Sequence, residues 1–155
     1  MPARKGEPAP PIKLADAPGH EVDLAEVFGK RKAVILFFPL AFSPVCTEEF
    51  CTFRDNWAKW AELGCDVYGI SVDSPFVVKK FRELENIPFP ILSDFNKTVS
   101  RAYGALHRDL FGMKGVSKRA AFVVDAAGNV AYRWVSNDPR KQIKFDAIRR
   151  AVKNC

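Results

Sequence analysis

Residues 34–51 read Val34-Ile-Leu-Phe-Phe-Pro39-Leu-Ala-Phe-Ser43-Pro-Val-Cys46-Thr-Glu-Glu49-Phe-Cys51. The apolar, β-prone run ends at Pro39, and Ser43-Pro44 is typical of a helix start, with serine at the N-cap and proline at the first helical position. Cys46 would then lie in the first turn, where unpaired backbone N–H groups and the positive end of the helix dipole favour an anion. We expect a thiol in this position to ionise readily and to act as a nucleophile.

Strand and helix patterns alternate through the rest of the chain. The predicted strands are a hairpin within 12–24, then 33–38, 67–72, 91–92, and a second hairpin made of 119–125 and 130–135. The predicted helices are 46–63, 74–85, 97–103 and 142–152, and residues 106–117 are predicted as a long loop. This order predicts an α/β fold with a mixed sheet covered by helices on both faces.

Length and composition favour one folded domain over residues 1–155. Of the 155 residues 48% are hydrophobic, and thirteen are Phe, so disorder is not expected. Four cysteines suggest no disulfide framework for a chain of this size. The two histidines, His20 and His107, lie in unrelated segments, so we expect no metal site and no cofactor.

Charge and hydropathy bear on location and partners. The formal net charge is +6, but the basic residues are scattered and lack interleaved aromatics, so nucleic-acid binding is not expected. The first thirteen residues are polar and Pro-rich, so we expect no secretory signal. No apolar run approaches about 18 residues, so we expect no membrane span. A cytoplasmic location is the resulting expectation.

Two motifs together resemble the peroxiredoxin family. Pro39-x-x-x-Ser43-x-x-Cys46 is similar to its active-site signature, and Ser117-Lys-Arg119-Ala-Ala-Phe-Val-Val-Asp125 is similar to the strand that carries its active-site arginine. Segments 66–74 and 91–94 resemble the family's central strand and following loop, so the resemblance spans about residues 8–135. It implies a thioredoxin-like fold with an N-terminal β-hairpin extension, and a thiol peroxidase that reduces hydrogen peroxide and organic hydroperoxides.

Peroxide reduction needs a thiolate and donors that stabilise the departing oxygen. On this reading Cys46 supplies the sulfur, the Ser43 hydroxyl donates to a substrate oxygen, and the backbone N–H groups of Val45 and Cys46 point into the same pocket. Arg119 adds a permanent positive charge that favours the thiolate. Arg119 enters an apolar strand, so a structural ion pair is the alternative reading of this residue.

Two further residues complete the predicted site. Pro39 would shield the sulfur from bulk water. Glu49 follows Cys46 by three residues on the same helix face, and a similar feature of the family suggests that it orients Arg119 through a bidentate pair. Asp73 and Asp94, at strand ends, are expected only to cap turns.

The spacing Cys46-x-x-x-x-Cys51 resembles the Q-type (bacterioferritin-comigratory) peroxiredoxins, whose resolving cysteine occupies the second position. On an ideal helix two Cα atoms five residues apart are separated by roughly 8.6 Å. A disulfide needs about 7 Å or less, so the first turns of the helix must unwind before it forms. Cys155 and an external thiol remain alternative resolving groups, and Cys65 is expected in the core.

The sequence is compatible with several functional alternatives. One is a non-enzymatic thioredoxin-like module whose Cys46–Cys51 pair switches its surface, and another is a one-cysteine peroxidase. A general disulfide reductase is disfavoured because Ser43 stands where its Cys-x-x-Cys motif has the first cysteine. The expected partners are a peroxide, a thioredoxin- or glutaredoxin-like reductant, and a second copy of the chain. Such a homodimer would use aromatic residues at Phe42, Phe76 and Phe111.

Overall fold

A computed structural model describes residues 3–155, which form seven β-strands and five α-helices. The strands are β1 (Lys13–Ala17), β2 (His20–Asp23), β3 (Lys32–Phe37), β4 (Cys65–Ser71), β5 (Ile91–Ser93), β6 (Arg119–Val124) and β7 (Val130–Ser136). The helices are α1 (Pro44–Asp55), α2 (Trp57–Ala61), α3 (Pro75–Leu84), α4 (Thr98–Ala102) and α5 (Phe145–Asn154). A single 3-10 turn, Leu24–Glu26, follows β2.

All seven strands belong to one mixed sheet in the order β2-β1-β5-β4-β3-β6-β7. The pairs β3–β4 and β4–β5 are parallel, whereas the other pairs are antiparallel. The N-terminal hairpin joins the sheet because Ala15 of β1 pairs with Ser93 of β5. The predicted mixed sheet with an N-terminal hairpin is therefore confirmed.

Alternate residues of β3 supply two hydrophobic cores, one on each face of the sheet. Val34 and Leu36 pack with residues of α1, α2, α3 and α5. Ala33, Ile35 and Phe37 pack on the opposite face with residues of α4 and of the N-terminal segment. Because β3 is central and covered on both sides, its continuous apolar sequence correctly predicted a buried strand.

Helix α1 packs against the first of these cores through one buried face. That face carries Cys46, Glu49, Phe50 and Phe53, which recur at intervals of three and four residues. The Phe50 ring meets the Phe38 ring edge to face, with centroids 4.6 Å apart. This aromatic contact fixes the side of α1 that faces the sheet.

Two predicted helix bounds are wrong. The helix expected over 46–63 is divided at Asn56, whose side-chain amide donates to the Thr52 carbonyl, 2.9 Å away. An asparagine that bonds the backbone in this way competes with regular helix hydrogen bonding. The final helix begins at Phe145 rather than at residue 142, and the N–H of Ile143, which precedes it, donates to Glu49.

Candidate active site

The start of α1 supplies the predicted nucleophile and its backbone donors. Ser43 is the N-cap, Pro44 is the first helical residue, and Cys46 is the third. The earliest backbone hydrogen bond of the helix runs from the Thr47 N–H to the Ser43 carbonyl, at 3.0 Å. The N–H groups of Val45 and Cys46 precede it and so have no acceptor within the helix. The Cys46 side chain is completely buried.

Arg119, the first residue of β6, contacts three residues through three nitrogens. Its Nη2 lies 2.8 Å from Cys46 Sγ, and its Nη1 lies 3.2 Å from Glu49 Oε2. Its Nε donates to the Pro139 carbonyl at 3.3 Å. The side chain is 1% exposed, so water screens none of these charges effectively. The guanidinium therefore places a permanent positive charge directly beside the sulfur.

Glu49 connects Arg119 to the segment before α5. Its Oε1 accepts from the Ile143 N–H at 3.0 Å, which leaves only Oε2 for Arg119. The predicted bidentate pair is thus wrong, because Arg119 directs its other terminal nitrogen at the sulfur. Burial raises the pKa of Glu49 to about 7, a shift that the Arg119 charge and the Ile143 N–H only partly oppose.

Ser43 does not use its side chain as a helix cap. The hydroxyl instead donates to the carbonyl of Leu40, 2.8 Å away. The N-cap position is correctly predicted from sequence, but the capping hydrogen bond is not made. The hydroxyl lies at the mouth of the site, and an incoming oxygen would have to compete with Leu40 for its proton.

The loop between β3 and α1 is held by a residue that was expected only to cap a turn. Asp73 Oδ2 accepts from the Ala41 N–H and from the Ser71 hydroxyl, each at 2.7 Å. In the same loop Phe42 adopts a left-handed conformation with φ of 68°. Its ring meets the Phe81 ring edge to face, with centroids 5.1 Å apart. Asp73 thereby positions the turn that precedes Cys46. Its place just after β4 predicted a turn cap but not this contact with the β3–α1 loop.

A mostly apolar cavity of about 210 Å³ opens beside Arg119 and the residues that precede Cys46. The residues that line it are Pro39, Leu40, Ser43, Pro44, Val45, Leu110, Phe111, Met113, Arg119, Pro139 and Arg140. Four predicted site residues, Pro39, Ser43, Val45 and Arg119, are thus brought together around one opening. The segment 110–113 was predicted only as loop, and its contribution depends on a tertiary approach that no local motif signals.

Cys51 lies on α1 but faces away from Cys46, towards the end of α3. Its Sγ is 3.6 Å from Glu85 Oε2, and all four cysteines are free thiols. The pKa of Cys51 is raised, first by burial and then by the neighbouring carboxylates. Since α1 is helical from Pro44 to Asp55, the Cα atoms of Cys46 and Cys51 are too far apart for a disulfide unless the helix unwinds.

The two remaining cysteines lie at the opposite end of the sheet. Cys65 is the buried first residue of β4 and pairs with Lys32, the first residue of β3, whereas Cys46 follows the end of β3. Burial raises the pKa of Cys65 to about 11. The Cys155 thiol donates to the Val152 carbonyl, which also accepts from the Lys32 ammonium. Within one chain, Cys155 therefore lies far from Cys46, by roughly the 16 Å length of a six-residue strand.

Two negative observations concern residues 3–155. They contain no cluster of three or more His, Cys, Asp or Glu side chains with the arrangement of a metal site. No helix in this part of the chain has both the length and the apolar character needed to cross a bilayer.

Fold and site together define a class of protein: a thioredoxin-like mixed sheet that carries a buried thiol, bound by arginine, at a helix N-terminus. Residues 5–133 match the model of the AhpC/TSA family. Peroxiredoxin Bcp of Escherichia coli is 34% identical over 133 residues, which cover 84% of this chain and 85% of that protein. Chloroplastic peroxiredoxin Q of Oryza sativa subsp. japonica is 36% identical over 140 residues, covering 90% and 63%.

The solved structures agree with this assignment. The crystal structure of peroxidoxin BcpB from Mycobacterium tuberculosis superposes with a TM-score of 0.84 at 28% identity, and the match covers 97% of each chain. The chain belongs to the AhpC/TSA family, and its relatives identify it as a peroxiredoxin of the Bcp/Q kind, a thiol peroxidase.

Proposed function

We propose that this peroxiredoxin reduces hydrogen peroxide and organic hydroperoxides with Cys46 as the nucleophile. The observation that carries the proposal is the contact between Arg119 Nη2 and Cys46 Sγ at the N-terminus of α1. A guanidinium in contact with a buried sulfur, at a helix start with two free backbone N–H groups, provides preorganised donors for the negative charge that a reaction at this sulfur develops. A protein that only needed a structural cysteine would gain nothing from this arrangement.

The proposed step is a displacement at oxygen. The Cys46 thiolate attacks one peroxide oxygen, an S–O bond forms, the O–O bond breaks, and the second oxygen leaves as hydroxide or alkoxide and takes up a proton. Arg119 and the Val45 and Cys46 N–H groups stabilise the negative charge that develops on the leaving oxygen. Ser43 can turn its hydroxyl from Leu40 to the substrate, and Pro39 shields the sulfur from water. The product is a sulfenic acid on Cys46.

The cavity beside Arg119 supports organic hydroperoxides as substrates in addition to hydrogen peroxide. Leu110, Phe111 and Met113 form an apolar wall that faces the opening. An alkyl or aryl group that leaves water for this wall gains hydrophobic free energy, while its peroxide end reaches Arg119. Hydrogen peroxide has no such group and gains nothing from the wall.

We further propose that Cys51 resolves the sulfenic acid and that a thioredoxin- or glutaredoxin-like protein reduces the resulting disulfide. The location of Cys155, at the other end of the sheet, argues against it as the resolving thiol within one chain.

A homodimer through the exposed Phe42, Phe76 and Phe111 is also proposed, to be tested by light scattering. A cytoplasmic location stays a prediction, to be tested by cell fractionation.

Stopped-flow fluorescence tests the nucleophile. The Trp60 ring packs on Phe53 of α1, with centroids 4.5 Å apart, so oxidation of Cys46 should change the emission. Cys46→Ser should abolish both the fast phase and peroxide consumption, whereas Cys155→Ser, a control at an exposed cysteine, should retain both. A wild-type rate no faster than that of free cysteine would favour the alternative of a non-enzymatic redox switch. Substantial turnover by Cys46→Ser would show that another thiol is the nucleophile.

A further inference from the structure

Helices α1 and α3 are joined at Cys51 by two contacts with the same residue. Glu85, the C-cap of α3, accepts the Cys51 thiol proton on its side chain, with Sγ and Oε2 3.6 Å apart. The backbone carbonyl of Glu85 accepts from Arg54 Nη1 at 2.8 Å. Cys51 and Arg54 are one turn apart on α1, so Glu85 contacts the same face of this helix twice.

The side-chain hydrogen bond has to break before Cys51 can bond to Cys46, because the sulfur of a disulfide carries no proton to donate to Glu85. The two cysteines are five residues apart on a helix, and their Cα atoms must come closer than about 7 Å for a disulfide to form. Any unwinding of α1 that turns Cys51 towards Cys46 removes its sulfur from Glu85. The free energy of the thiol–carboxylate contact therefore adds to the cost of the unwound state.

We propose that Glu85 is a positioning residue that keeps the Cys51 thiol on helical α1 and thereby slows its attack on oxidised Cys46. This inference rests on the proposed role of Cys51 as the resolving cysteine. In the slowed step the Cys51 sulfur attacks the sulfenic sulfur, an S–S bond forms, and the S–O bond of Cys46 breaks. The thiol proton leaves with the departing hydroxide as water, so Cys51 is oxidised, Cys46 is reduced, and no other reagent is needed.

Glu85 also affects the ionisation of the Cys51 thiol through its charge. Arg54 favours the Cys51 thiolate, whereas Glu85 and Asp55 oppose it, and Asp55 is partly neutralised by its ion pair with Arg54. The attacking species is the thiolate, so a carboxylate beside the thiol lowers the reactive fraction at a given pH. Removal of the Glu85 charge should therefore shift the pH dependence of disulfide formation, an effect that a purely packing role would not produce.

Two substitutions separate the charge from the contact. Glu85→Gln removes the charge but keeps an oxygen that can accept the thiol proton, while Glu85→Ala removes both. The bond between Arg54 and the Glu85 backbone carbonyl is retained in each variant, which preserves the packing of α1 on α3. Glu83→Gln is the matched control, because Glu83 lies on the same helix and pairs with Lys79 instead.

The experiment mixes reduced protein with one equivalent of hydrogen peroxide and follows tryptophan fluorescence, with quenched samples analysed for the Cys46–Cys51 disulfide by mass spectrometry. Replacement of the charged acceptor by a neutral one weakens the hydrogen bond and predicts disulfide formation about three- to tenfold faster in Glu85→Gln, whereas loss of the contact predicts a still faster step in Glu85→Ala. The pH midpoint of this phase should fall in both variants, and less sulfinic acid should form at high peroxide. Glu83→Gln should match the wild type.

The outcomes are distinguishable. A normal first phase, with a disulfide phase in both Glu85 variants that is no faster than in the wild type and has the same pH midpoint, would overturn the role of Glu85 alone. A normal first phase without any Cys46–Cys51 disulfide in the wild type would overturn the resolving role of Cys51 and this inference with it. Absence of a fast first phase in every protein would instead contradict the proposed peroxidase function.

Discussion

A single guanidinium on β6 links helix α1 to the segment that contains Pro139. Arg119 binds the sulfur of Cys46, the carboxylate of Glu49 and the carbonyl of Pro139 with separate nitrogens. Lysine has one nitrogen at the end of a flexible stem and cannot reproduce this planar arrangement. At the scale of single residues, geometry as well as charge should therefore determine the reactivity of Cys46.

Substitution of Arg119 tests this requirement. Arg119→Ala should lower the second-order rate of Cys46 oxidation by roughly 100- to 1,000-fold, the loss typical of one preorganised donor to a developing anion. Arg119→Lys keeps the charge and should recover only part of the loss. Stopped-flow fluorescence of both variants against hydrogen peroxide measures the effect. Wild-type rates in folded variants would leave Arg119 with a structural ion-pair role only.

Glu49 should make stability depend on pH in a defined direction. Its pKa is about 7 in the folded protein, raised from 4.5, so between these values the native state binds more protons than the unfolded state. This stabilisation is present below pH 4.5 and is lost as the pH rises to 7. The free energy of unfolding should therefore fall by at least about 1 kcal/mol more in the wild type than in Glu49→Gln between pH 5 and pH 7. Urea unfolding at both pH values checks this, and equal pH dependence in the two proteins would contradict it.

Helix α1 is the element on which the proposed cycle depends. Its first turn holds Cys46, the proposed nucleophile, its second turn carries Cys51, and its buried face is fixed by Phe50 and Phe53. The division at Asn56 separates this helix from α2, so unwinding of α1 need not propagate into Trp57–Ala61. Conformational change on oxidation should accordingly be confined to the region from the β3–α1 loop to Asn56.

Cys51→Ser tests the behaviour of this helix. The first peroxide equivalent should react at the wild-type rate, but Cys46 should then remain a sulfenic acid that is prone to over-oxidation. Turnover with thioredoxin should fall sharply. Oxidised wild type should lose amide protection around residues 44–54, whereas the variant should not. A linkage of Cys46 to Cys155 or Cys65, found by mass spectrometry, would assign another resolving partner and leave the peroxidase function intact.

At the scale of the whole molecule, the strand order brings distant segments to one end of the sheet. Phe37 near the end of β3 pairs with Ala120 near the start of antiparallel β6, so Arg119 stands beside the loop that leads to Cys46. The segments 110–113 and 139–140 reach the same end and enclose the cavity. Phe111 is 83% exposed there, with a left-handed φ of 52°. This exposure leaves the Phe111 ring accessible to the organic part of a substrate in the cavity.

Substrate comparison tests the cavity wall. Phe111→Ala should lower the ratio of the cumene hydroperoxide rate to the hydrogen peroxide rate by about three- to tenfold, because only the organic substrate contacts the ring. Phe76→Ala is the matched control, since Phe76 is also exposed but lies on α3 away from this cavity. Both rates come from the same stopped-flow assay. A ratio unchanged by Phe111→Ala would remove this residue from substrate binding.

The local structural features of this protein could be predicted from short stretches of sequence. The apolar run of β3, the Ser43-Pro44 helix start and the position of Cys46 in the first turn are encoded by neighbouring residues, because caps and periodicity act over one or two turns. The family assignment also followed from two short motifs. The position of Cys51 on the same helix followed from its spacing alone, which set the need for unwinding.

The contacts between these elements, in contrast, depend on the folded chain. The Cys46–Arg119 contact spans 73 residues, and the sharing of Glu49 between Arg119 and Ile143 depends on where the segment before α5 packs. The bond from Asp73 to Ala41 and the contact of Cys51 with Glu85 likewise cross between elements. No local signal encodes such pairs, because strand order and helix packing are settled by burial of the whole core rather than by any short segment.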